Sequence, residues 1–170
     1  MIETKPIISD KLYLGELSER VAKIEGKCAK TDKAWVIVRQ ATEGDNLRRA
    51  DRRADSVVEW QRDGVAREKR RDNVRDTWAY EVYLTLCDVG NINAEGKPLF
   101  TFQDAGDYTK IKGGFQNFLT AYGQLPSVVT ASILQAVYKI NPDWSLFTFN
   151  EDEDKDEDEK NEVEGEAAEE

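Results

Sequence analysis

The run Glu151–Glu170, EDEDKDEDEKNEVEGEAAEE, sets the first limit on what this chain can fold into. It holds 13 acidic residues against 2 lysines, and its only apolar side chains are one valine and two alanines. Such a segment cannot bury enough surface to offset the entropy lost on ordering, and its charges repel one another. The sequence therefore predicts a single α+β domain over residues 1–149 and a disordered acidic tail over 150–170. The formal charge of −10 for the 170 residues conceals this division. Residues 151–170 carry −11, whereas residues 1–150, with 22 basic and 21 acidic side chains, carry +1.

Several function classes drop out on residue types alone. The chain has no histidine, so the commonest general acid/base and metal ligand is missing. Its two cysteines, Cys28 and Cys87, lack metal-ligand spacing, and Cys87 lies in an apolar run where a buried thiol is expected. A disulfide between the two is left open. No leader-like or membrane-length apolar run is present, which points to a soluble protein in a reducing cytoplasm.

The pattern of elements is legible in parts. KLYLGEL reads as a short strand and turn, and LSERVAKIEG as a helix with Leu17, Val21 and Ile24 on one side, stopping at Gly26. AWVIVRQA, rich in β-branched and aromatic residues, reads as a strand. A longer helix is expected next, with Asp45 as N-cap, a stripe of Leu47, Ala50, Ala54, Val57, Val58 and Trp60, and Gly64 as the stop. TWAYEVYLTLCDV alternates Trp78, Tyr80, Val82, Leu84 and Leu86, which favours a strand over a helix. GNINAEGKPLF reads as a turn-rich loop. FQNFLTAYG and PSVVTASILQAVYKIN then form an αα-hairpin, opened by Pro126 and closed before Pro142.

The block from Arg48 to Arg75 has ten basic and six acidic residues, an excess of only +4. A phosphate-binding face usually shows less balanced charge, so a solvated, ion-paired helix or a protein-binding face is favoured over nucleic acid. Asp88, Asp104 and Asp107 lie in turn-rich surroundings without a nucleophile or metal cluster, so turn formation is their expected role. KIKGG lacks the order of a phosphate loop. Trp35, Trp60, Trp78 and Trp144 read as core or interface anchors. No catalytic, cofactor or metal site is expected. The acidic tail lacks the spacing of a calcium loop. Its open readings are a solubilising extension, a nucleic-acid mimic, a loose cation binder, or a strap that folds back over the arginine block.

The order WVIVRQATEGD, RRA, EVYLTLCDVGNINAEGKPLF, FLTAYGQLP and ILQAVYKINPDW, over about residues 30–145, resembles the tail assembly chaperones of long-tailed bacteriophages. The motif positions are Trp35, Arg39, Gln40, Glu81, Leu84, Asn141, Pro142 and Trp144. The resemblance implies a non-enzymatic protein of the infected host's cytoplasm. It would bind the tape-measure protein, keep its helices soluble and help recruit tail tube protein. Candidate partner-binding residues are then Trp35, Arg39, Gln40, Arg48, Arg49, Arg52, Arg53, Trp60 and Trp144. The alternatives are a structural minor tail or connector protein of the particle, and a nucleic-acid-linked regulator.

Overall fold

The computed structural model of the chain describes residues 5–27, 33–53, 56–60, 66–70 and 74–145, with backbone alone for 53, 56–60, 66–70, 74 and 75. The architecture is α+β, as the sequence predicts. The expected tail at 150–170 lies outside the described residues.

β2 (Trp35–Val38) is the centre of a three-stranded antiparallel sheet. β1 (Leu12–Tyr13) pairs on one side, Leu12 opposite Val36. β5 (Leu86–Gly90) pairs on the other, with an irregularity between Ile37 and Val38. Alternation is clean here: Val36 and Val38 are wholly buried while Trp35 and Ile37 are half-buried, so one face belongs to the core. The chain before β1 continues along β2, through Ser9 N–H to the Val38 carbonyl and Gln40 N–H to the Ile7 carbonyl. The indole of Trp35 lies against its partner Gly90, where an added Cβ would collide with the ring.

After β1 come α1 (Leu14–Leu17) and α2 (Glu19–Lys27). Val21 is buried, but Ile24 is largely exposed, so the expected stripe is narrower than its spacing suggests. Of the two C-terminal helices, expected as an αα-hairpin, α5 is Phe115–Tyr122 and α6 is Ser127–Ile140, joined by the short connection at 123–126. α6 packs on α1, α2, β2 and α4 (Val74–Thr85), and its Ile133, Ala136 and Val137 are wholly buried. A 3-10 turn at Pro142–Trp144 then carries Trp144 back into the protein.

Two expectations are corrected. TWAYEVYLTL is not a strand: α4 spans Val74–Thr85 and only then does β5 begin. A strand would send Ala79, Glu81, Tyr83 and Thr85 to the opposite face from Trp78, Tyr80, Val82 and Leu84. In the fold Ala79, Glu81, Val82, Leu84 and Thr85 are all buried, because α4 is covered by α3 (Glu43–Arg53), α5, α6 and β9 (Thr109–Ile111). A helix enclosed on most sides has no amphipathic period to read. The long helix after β2 is also wrong. α3 covers only Glu43–Arg53, and Ser56–Trp60 is strand β3, paired antiparallel with β4 (Ala66–Arg70). Val57, Val58 and Trp60 are good strand formers, and the register sets Glu59 opposite Arg67.

The GNINAEGKPLF loop contains a tight hairpin, β6 (Asn93–Ala94) to β7 (Lys97–Pro98). Its two connecting residues, Glu95 and Gly96, both have positive φ, the conformation that matches the twist of the flanking strands. β8 (Phe102–Asp104) and β9 form another hairpin, in which Asp104 Oδ1 accepts the Gly106 N–H at 2.8 Å. Asp104 therefore has the turn role expected of it.

A buried ion-pair junction and an apolar groove

Three charged residues of α3 face inward, while Glu43, Arg48 and Asp51 stay exposed. The helix presents Asp45, Arg49 and Arg52, at i, i+4 and i+7, to the rest of the protein, while Leu47 is 60% exposed and Ala50 also faces solvent. The apolar stripe predicted from Leu47 onward is thus inverted. Ala54 lies outside the described residues.

The helix start explains part of this. Thr42 takes the N-cap place, its carbonyl accepting the Asp45 and Asn46 N–H groups. Asp45 is in the first turn and accepts from both the Thr42 N–H and the Thr42 hydroxyl at 2.9 Å. The Asp45 N–H donates to Thr42 Oγ1 at 3.3 Å, completing a reciprocal capping arrangement. Asp45 therefore stands three positions inside the N-cap, not on it.

From the end of β2, Arg39 reaches the same carboxylate. Its guanidinium donates to Asp45 Oδ2 and to the Leu84 carbonyl, each at 2.6 Å, and lies 4.3 Å from the Tyr108 ring centre. Arg39 and Asp45 side chains are 4% and 3% exposed. Burial pushes the Asp45 carboxyl upward, but the hydrogen bonds from Arg39 and Thr42 and the charge of Arg39 outweigh it, leaving its pKa below the ordinary value.

A second pair adjoins the first. Arg49 Nε donates to Glu81 Oε1 at 2.5 Å, and Tyr138 of α6 donates its hydroxyl to Glu81 Oε2 at 2.7 Å. Arg49 also donates to the Trp144 carbonyl at 2.9 Å and lies 5.1 Å from the Trp144 ring centre. The indole N–H of Trp144 returns to α3 at Asn46 Oδ1, 2.8 Å away. Asn141 closes the remaining side. Its Oδ1 accepts the Ala41 N–H at 2.7 Å, and its Nδ2 donates to the Arg39 and Val137 carbonyls. Residues about a hundred positions apart are thereby fastened together around the strand end.

The second feature is an apolar groove of about 640 Å³, open to solvent, between the start of α4 and the helices α5 and α6. Trp78, Leu119, Tyr122, Leu125, Leu134 and Tyr138 line it, with Asp76 and Gln135 among the polar residues of its wall. Burial raises the Tyr122 phenol pKa well above its usual value, and its hydroxyl donates to the Thr130 carbonyl at 3.1 Å. Among the described residues there is no cluster of histidine, cysteine, aspartate or glutamate able to hold a metal, and no helix long and apolar enough to cross a membrane.

The nine candidate partner-binding residues separate accordingly. Arg39, Arg49 and Trp144 belong to the junction, with Arg39 and Trp144 buried in it, where their hydrogen bonds tie α3, α4 and the 3-10 turn together. Trp35 is half-buried against Gly90 with Lys11 over its ring, and Gln40 is exposed. Arg48 is exposed and Arg52 half-buried over two aromatic rings. The side chains of Arg53 and Trp60 lie outside the described residues. Sequence reasoning placed Asp45 as an N-cap but missed its pairing with Arg39, and missed Tyr138 and the groove. A signal for Asp45 was present, since Thr42 and Asp45 have the three-residue spacing of a capping pair. Comparison with family models, curated proteins and solved structures finds no match to this chain.

Proposed function

We propose that the chain is a non-enzymatic tail assembly chaperone of a long-tailed bacteriophage, acting in the cytoplasm of the infected host. It binds amphipathic helices of the tape-measure protein and helps recruit tail tube subunits. The observation that carries this reading is the open groove lined by Trp78, Leu119, Tyr122, Leu125, Leu134 and Tyr138. A helix presenting apolar residues at i, i+3, i+4 and i+7 is the complementary shape for such a surface. The resemblance adds support at residue level: Arg39, Glu81, Leu84, Asn141 and Trp144, spread through the sequence, meet in one junction. That junction holds α3, α4 and α6 in register and so fixes two walls of the groove. The role needs neither catalytic group nor cofactor.

The test is a tagged pull-down from cells producing the particle, with mass spectrometry of the captured proteins and of finished particles. Capture of the tape-measure protein, its loss with Leu134→Lys, and absence of this chain from particles are the expected results. Stoichiometric presence in particles would favour a minor tail or connector protein instead.

A further inference from the structure

The two tyrosines of the groove lend it their rings and direct their hydroxyls to partners inside the fold. Tyr122 donates to the Thr130 carbonyl at 3.1 Å, which ties α5 to α6. Tyr138, on α6, donates to Glu81 Oε2 on α4 at 2.7 Å. The two rings differ in how they are covered. Tyr122 is buried and stacks on Phe118, with ring centres 5.1 Å apart, so packing restrains it. Tyr138 is half-buried. An aromatic side chain at such a position hops between staggered rotamers unless a directional bond selects one.

Glu81 is built to supply that bond. Its side chain is 1% exposed, and its Oε1 accepts from Arg49 Nε at 2.5 Å. Arg49 is fixed in turn by the Trp144 carbonyl at 2.9 Å. The backbone of α4 beside it is braced by the Thr85 hydroxyl, which donates to the Glu81 carbonyl at 2.8 Å. The carboxylate is therefore a stationary acceptor that cannot follow a moving phenol. Rotation of Tyr138 away from α4 would take a donor from a buried carboxylate oxygen, a loss that protein interiors resist.

We propose that Glu81 is a positioning residue of the groove: it acts through Tyr138, holding the ring where it forms the groove wall. The inference rests on the reading of the groove as the client-binding surface, and adds how that surface is made ready before a client arrives. A ring already fixed loses no rotamer freedom when a helix packs on it. Immobilising a side chain of this kind during binding weakens affinity about two- to tenfold, and the bond to Glu81 removes that loss in advance.

The experiment compares the full chain with its Tyr138→Phe variant, which keeps the ring and loses the hydroxyl. In the free proteins, three-bond NMR couplings report the χ1 rotamers at position 138, and the Arg49 Nε–H resonance reports the other oxygen of Glu81. The expected result is one rotamer in the parent, averaging between rotamers in the variant, and a shifted Arg49 resonance. The binding probe is a synthetic helical peptide with leucine at i, i+3, i+4 and i+7 and alanine and glutamine elsewhere. Its Kd should rise about two- to tenfold in the variant. A loss of folded protein alone would lower the amplitude of binding, but would leave the Kd and the rotamer of the folded form unchanged. A single rotamer in the variant, an unmoved Arg49 resonance, or equal peptide affinity would each overturn the role of Glu81. A peptide that binds neither protein, or whose binding survives Leu134→Lys, would instead overturn the groove reading itself, and this inference with it.

Discussion

The junction and the groove share α4, α6 and the side chain of Tyr138, yet they are built on opposite principles. At the junction, Arg39, Asp45, Glu81 and Asn141 are buried and held by short directional bonds, so the partners fit in one arrangement. In the groove, Tyr138 stands beside Leu134, Leu119 and Trp78, whose contacts are non-directional and open to water. One region specifies how three helices meet the sheet. The other leaves apolar surface uncovered, the surface to which the proposed client helices would bind. The difference teaches that charge here does structural work inside the protein, while apolar side chains do the exposed work.

The sharpest way to break this contrast is to remove one member of the buried pair. Asp45→Ala leaves Arg39 charged and enclosed, and should destabilise the protein by about 3–5 kcal/mol, measured by denaturant unfolding. Replacing both members, Arg39→Met with Asp45→Leu, should recover much of that loss, because the penalty lies in the unpaired charge. If the single variant cost nothing, the junction would not be the fixed region described here.

Acid should act on the same pair. The folded-state pKa of Asp45 is depressed, so its stabilising contribution is complete above the unfolded value near 3.8 and is lost as pH falls through the folded value. Stability measured between about pH 5 and pH 2 should therefore fall less steeply in Asp45→Asn than in the parent protein.

Smaller effects sharpen the comparison. Gly90→Ala places a methyl group into the Trp35 indole, and overpacking of this kind costs about 1–3 kcal/mol. Thr42→Ala removes the cap and one hydrogen bond to Asp45, for about 0.5–2 kcal/mol. In the groove the order of effects should reverse. Leu134→Lys, at a half-buried position, should alter unfolding stability by less than about 1 kcal/mol while weakening client binding about tenfold or more. A variant that lost stability and binding together would place Leu134 with the fixed region.

Legibility in the sequence followed how each element is covered. β2 was readable because one face is buried and the other partly exposed, which preserves alternation. α6 was readable because Pro126 and Pro142 bound it and its Ile133, Ala136 and Val137 share a buried side. α4 was not, since enclosure by several elements makes nearly every position internal and leaves no period for a pattern to follow. α3 was misread for the opposite reason. Its buried positions are polar, and an ion pair satisfied by a distant strand looks, in one dimension, like a solvated charge. The candidate site was partly legible: Arg39, Arg49 and Trp144 were singled out as partner-binding candidates, but not their hydrogen bonds to Asp45, Glu81 and Asn46. The groove was invisible because its lining comes from α4, α5 and α6 at once.

By itself the sequence determined the α+β class, the division between a near-neutral body and an acidic run, the central strand and the two C-terminal helices. These depend on local propensity, on short-range periodicity and on charge density, all of which act between near neighbours. Only the tertiary structure decided that Arg39 meets Asp45, that Arg49 meets Glu81 and Trp144, and that α3 turns Asp45, Arg49 and Arg52 inward. An arginine can be buried only where a carboxylate and carbonyl oxygens replace its water, and those partners are brought to it by the fold.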